Sequence, residues 1–141
     1  AVVAFATHGL VSGELEGLRE PALLLTPDGE DDGLLTASEI GRLSIPAAWV
    51  ILSACNTAAG SGPDAPGLSG LAQGFILAGA HRILATHWPV RDDVARAISV
   101  GTMTAAAAGA DPAAALRDAI RTARRDHRDP ALWEAFELIG Q

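Results

Sequence analysis

Three short apolar runs constrain this chain more than any other feature of it: Ala1-Val2-Val3-Ala4-Phe5-Ala6, Ala48-Trp49-Val50-Ile51-Leu52-Ser53-Ala54 and Ile83-Leu84-Ala85-Thr86. Each is too short for a helix that stands alone, and each is rich in β-branched or large apolar residues, the pattern of a strand. None alternates with polar residues as a half-exposed strand does. Continuous apolar strands are buried on both faces, the condition of a parallel sheet covered by helices. The segments between them must therefore supply those helices.

They do. Thr36-x-x-Glu39 ahead of Ile40 and Leu43 is a capping box and predicts a short helix over 37–43, ended before Pro46. Ser69 is an N-cap for a helix through about Ala78, with Gly79 as its stop. Asp92 and Asp93 place negative charge at the start of an Ala-rich helix over about 93–108. Asp111-Pro112 opens another that runs to about Arg125. Its apolar face holds Leu116, Ile120 and Ala123, and its wet face Arg117, Arg121 and Arg124. Leu23 to Thr26 reads as a strand entering the Pro27-Asp28-Gly29 turn, with Leu34-Leu35 closing a hairpin. Residues 10–21 read as loop, and Phe136, Leu138 and Ile139 as a last strand. Strands alternating with helices make an α/β fold with a mostly parallel sheet.

Composition narrows the function. With 141 residues and 49% apolar content, the chain can close one core. Its net charge of −7 argues against a phosphate-tracking surface and hence against nucleic-acid binding. A single Cys cannot form an internal disulfide, which favours a reducing, cytoplasmic setting over a stapled secreted scaffold. No apolar run approaches the roughly 18 residues of a membrane span, and no signal-peptide pattern is present.

Two reactive side chains sit where predicted buried strands end: His8 after the first and Cys55 after the second. In open α/β sheets, sites gather at the carboxyl ends of the strands. Strands that are parallel neighbours lie about 4.8 Å apart, so groups at their ends can converge. A thiol becomes a nucleophile beside a base, and an imidazole in reach supplies one. The backbone N–H groups of Gly9 and Cys55 are then the natural oxyanion donors. The alternative is an inert buried Cys and a polar strand cap.

The spacing and the surrounding strings point to a family. Caspases carry a Q-A-C core with the catalytic His about 50 residues upstream; here Ser53-Ala54-Cys55 places the Cys 47 residues after His8. The ordered blocks Ala6-Thr7-His8-Gly9, Asp32-Gly33-Leu34-Leu35-Thr36, Leu52-Ser53-Ala54-Cys55-Asn56-Thr57, Gly70-Leu71-Ala72, Ala78-Gly79-Ala80, Trp88-Pro89-Val90 and Trp133-Glu134-Ala135-Phe136 resemble the CHAT family end to end. CHAT domains are caspase- and separase-like cysteine peptidases, often carried behind TPR repeats in bacteria. The resemblance implies a caspase-like three-layer fold and a His–Cys dyad, with His8 as general base and Cys55 as nucleophile of peptide-bond hydrolysis. It implies a protein or peptide substrate, no cofactor and no metal.

It also implies that two further strands precede the His-bearing one, so that residues 1–141 are the C-terminal part of one peptidase domain. The fold is then incomplete at its N-terminal side, and the chain's opening at Ala1 inside an apolar run accords with that. Strand 1–7 would present an open apolar edge, a template for the missing N-terminal part or for self-association.

Specificity is less legible. The residue two before the nucleophile faces the primary pocket in caspase-like folds, and Ser53 supplies no charge there. Thr86 to Arg91 resembles the substrate-lining stretch, with Trp88 as a candidate wall. Arg91, Asp92 and Asp93 read as helix-start residues, and Asn56 and Asp64 as loop polar groups. His81 and His87 flank a strand about 20 Å long and cannot share a metal. His127 reads as a cation at a helix C-terminus. A caspase-like scaffold without catalysis is the rival reading, and Cys55 reactivity that depends on His8 separates the two.

Overall fold

The computed structural model describes residues 1–52 and 70–140. Its central sheet contains β1 (Val2–Phe5), β5 (Trp49–Leu52), β6 (Arg82–Thr86) and β7 (Phe136–Gly140), in the order β1-β5-β6-β7. The three predicted apolar runs are its three parallel members: β1 pairs parallel with β5, and β5 with β6, while β7 closes the sheet antiparallel to β6. This mostly parallel sheet between helices agrees with the caspase-like arrangement that the resemblance implied.

The burial of both sheet faces follows from the alternation within each strand. Val50, Leu52, Ile83, Ala85 and Ile139 face a core shared with Ile40, Leu71 and Phe75. These last belong to α1 (Ala37–Ile40) and α2 (Gly70–Leu77). Trp49 and Leu84 face the other core, with Val94 and Ile98 of α3 (Asp92–Ala107) and Leu116 and Ala123 of α4 (Pro112–Asp126). Phe5 leaves β1 toward the first core and meets the ring of Phe75 at 5.3 Å between centroids. Helices cover both faces of β5 and β6, so these strands do not need the polar alternation their sequences lack. β1, expected to be buried as well, alternates exposed and half-buried residues, because only its Val3 and Phe5 side packs against a core.

The predicted helix signals act as expected. Thr36 accepts from the Glu39 backbone N–H while the Glu39 carboxylate accepts from the Thr36 N–H at 2.9 Å, the reciprocal capping box. Asp111 accepts from the Ala114 N–H at 2.9 Å with Pro112 in the first turn of α4. Gly79, just past α2, takes φ +103, the left-handed value that favours Gly. The expected N-cap Ser69 lies outside the described residues. α1 is shorter than expected: residues 41–43 finish in a turn, where the i→i−4 bonds of the helix give way to i→i−3 bonds from Arg42 N–H to Glu39 and from Leu43 N–H to Ile40.

The small sheet is a departure from expectation. The chain bends at Thr7, and His8–Leu10 forms a strand, β2, where loop was expected from residue 10. β2 joins β3 (Ala22–Leu24) and β4 (Leu34–Thr36) in a separate antiparallel sheet of order β2-β3-β4. The expected β3–β4 hairpin is there; its third strand is not visible locally, because His8-Gly9-Leu10 is too short to show a period.

Candidate functional site

The register of the parallel strands decides which residues can meet. β1 and β5 align Phe5 with Leu52, and β5 and β6 align Ile51 with Leu84, which brings Leu52 level with Ala85 one step on. Counted along the sequence, the third residue past each member of this row is His8, Cys55 and Trp88. Two expected catalytic residues and one expected pocket residue thus come after three neighbouring strands at the same remove. Cys55 itself lies outside the described residues, as do Ser53, Asn56 and Asp64.

His8 opens β2 with an exposed side chain, opposite Leu24 in the β2–β3 register. The Thr7 hydroxyl donates to the Leu24 carbonyl and so fixes the bend just before it. The imidazole is therefore carried by strands on either side of one tight corner, β1 in the main sheet and β2 in the small one. Gly9 is buried and faces Leu23 across the β2–β3 pair. His8 also lines a cleft of about 670 Å³ between β1 and α3, with Ala4, Ile51, Asp92, Arg96 and Met103 among its walls.

Beyond β6, the chain is clamped. The Trp88 indole N–H donates to the Ala131 carbonyl at 2.7 Å, and the His87 backbone N–H to the Ala135 carbonyl at 2.9 Å. His87 Nε2 also meets Glu137 Oε2 at 3.0 Å. Trp88 remains 37% exposed, so its ring is held in place by its polar edge while an apolar face stays open. The His87–Glu137 pair escaped the reading of the sequence because it depends on β7 lying antiparallel beside β6. No local spacing joins residues fifty apart.

Other charged residues sort into structural work. Arg91 donates to Asp93 through both Nε (3.1 Å) and Nη2 (2.7 Å). The guanidinium hydrogen bond holds the Asp93 carboxyl below its ordinary value, and the charge of Arg91 adds to it. Arg91 and Asp93 thereby serve the start of α3, as their position implied, and Asp92 is left at the cleft. His127 is the residue that caps α4. Arg124 is exposed, as expected of the wet face, and its guanidinium also lies 5.3 Å from the ring centre of Trp133, a cation–π contact. Among the described residues, no group of three or more His, Cys, Asp or Glu is arranged to hold a metal ion. No helix among them is long and apolar enough to cross a membrane.

The family model described as CHAT domain matches residues 1–141, the length of the chain. No curated protein matches it.

Proposed function

The chain belongs to the CHAT domain family, which is caspase-like and peptidase-related, and from that premise we propose that it is a cysteine endopeptidase working through His8 and Cys55. The observation that carries this reading is the register: adjacent parallel strands aligned at Phe5 and Leu52, each with one member of the dyad at the third residue beyond.

In this reading the Cys55 thiol gives its proton to the His8 imidazole, and the thiolate attacks the scissile carbonyl carbon of a protein substrate. Negative charge gathers on the carbonyl oxygen and is met by the backbone N–H groups of Gly9 and Cys55. The His8 imidazolium then protonates the departing amine, leaving a thioester on Cys55. A water molecule, deprotonated by the same imidazole, hydrolyses the thioester and restores the thiol. Neither a metal nor a cofactor enters these steps. Trp88 would wall the substrate pocket through its open face, and Ser53 would leave that pocket without charge. Neighbouring domains such as TPR repeats would regulate access.

The test uses the single thiol as its own reporter. Alkylation of Cys55 is followed by intact mass across pH, in wild type and in His8→Ala. Rapid reaction at pH values below the ordinary thiol value of about 8.5, slowed sharply without His8, is the expected result. A thiol that titrates near that value and ignores His8 would sink the dyad and leave a caspase-like scaffold.

A further inference from the structure

We propose that the groove between α4 and β7 is a docking site for an acidic amphipathic helix of a partner protein. The groove lies at the edge of the sheet remote from β1 and owes nothing to the dyad. It offers about 380 Å³. Leu116, Ile120, Trp133 and Leu138 make its floor, which continues into the core beneath α3 and α4. Leu116 is buried and the other three are half-buried. Trp133 is held by its polar edge, where the indole N–H donates to the His127 carbonyl at 3.3 Å. The floor is thus preformed, which spares an incoming side chain the cost of ordering it.

Charge chooses the partner. The chain carries 17 acidic residues against 10 basic ones, yet the groove is lined by three Arg and no acid. Arg117, Arg121 and Arg124 recur at the i, i+4, i+7 spacing of one helix face, and all three are exposed. They form a basic rim about 10 Å long. Their own supply of carboxylate is short. Arg117 and Arg121 share Asp118, at 3.9 and 3.3 Å, and Arg124 lies over Trp133 with no carboxylate partner among the described residues. A positive rim along an apolar floor, on a protein of net charge −7, selects an acidic segment.

Shape narrows the choice. A helix laid along α4 sets apolar side chains at i, i+3, i+4 and i+7 into the floor and brings the acids beside them against the Arg rim. A polyphosphate chain has no use for the apolar floor. A bilayer takes up apolar side chains that protrude, whereas these lie below a row of exposed arginines.

Fluorescence anisotropy on the 141-residue chain tests this with one probe, a fluorescein-labelled synthetic peptide bearing Leu at i, i+3, i+4 and i+7 and Glu beside them. Saturable binding that weakens as salt rises is expected. Arg117→Gln, Arg121→Gln and Arg124→Gln together should weaken it roughly tenfold, each exposed ion pair contributing about twofold. Replacing every Leu of the probe by Ala should abolish binding, which tests the floor without altering the protein. Arg42→Gln, just past α1 on the other face of the sheet, is the control and leaves binding unchanged. A wild type that does not bind the Leu probe overturns the proposal. So does an Ala probe that binds equally well, since charge alone would then hold it. Binding to phosphatidylserine vesicles, or a dimer in sedimentation velocity, that the triple substitution removes would give the groove to a membrane or to a second copy, and overturns the proposal too.

Discussion

The same substitution, Gly to Ala, should change stability in opposite directions in two helices of this protein. Gly74 lies buried in α2, and a Cβ built there stands 2.6 Å from the Ala37 carbonyl oxygen and 3.3 Å from Ile40 Cβ. Real Cβ atoms do not come that close to a backbone oxygen, so α1 or α2 must retreat by several tenths of an ångström. α1 cannot yield easily. Its first turn is held by the capping box and by Glu20, which accepts from the Ser38 N–H at 2.8 Å and from the Ser38 hydroxyl, and Ile40 is fully buried behind it.

Gly101 sits on α3 with an exposed side, and its Cβ would meet only Ala119 Cβ at 3.5 Å, ordinary contact. Ala in a helix interior gains about 1 kcal/mol over Gly, and overpacking a rigid contact costs about 1–3 kcal/mol. Only the first applies at Gly101, so Gly101→Ala should stabilise by roughly 0.5–1 kcal/mol. Both apply at Gly74, where the overpacking cost outweighs the helix gain, and Gly74→Ala should destabilise by up to about 2 kcal/mol. Urea unfolding followed by far-UV circular dichroism measures both, with unchanged slopes as the check that compactness is preserved. If Gly74→Ala gains stability as Gly101→Ala does, the α1–α2 contact is not a rigid close approach.

Two further outcomes can be measured in the same way. Glu39 accepts from the Thr36 backbone N–H and hydroxyl, which hold its carboxyl below the ordinary 4.5. A depressed folded value means that its contribution is complete above pH 4.5 and is lost as pH falls through the folded value. Wild type should therefore lose more stability than Glu39→Gln on acidification through that window, and parallel acid titrations of the two would contradict this. Asp111→Ala removes the acceptor for the Ala114 N–H and should cost about 1 kcal/mol, while Asp111→Asn should keep most of it; equal losses in the two would show that the cap hydrogen bond is not what matters.

Much of the architecture was legible along the chain because its causes are local. Continuous apolar runs announce strands, although β1 proves buried on one side only, and Thr36-x-x-Glu39 and Asp111-Pro112 announce helix starts, whatever lies around them. α1 fell short of its expected span because its bonds tighten to i→i−3 at Arg42 and Leu43, a local choice that the capping box at its start does not specify. The small sheet was hidden for a different reason. His8-Gly9-Leu10 has no strand pattern of its own and becomes β2 only because Leu24 and Leu23 stand opposite.

The candidate site divides along the same line. That His8 and Cys55 come just after apolar strands is written in the sequence, since it needs only the two apolar runs and the residues just beyond them. That those strands are neighbours, parallel, and aligned at Phe5 and Leu52 belongs to the sheet alone. So does the clamp on Trp88 from Ala131 and the meeting of His87 with Glu137 across β6 and β7. Hydrophobic period specifies what a segment becomes, because it depends on side chains a few residues apart. Strand order and register depend on contacts between segments far apart in the chain, and these exist only once the two cores have closed on either face of the sheet.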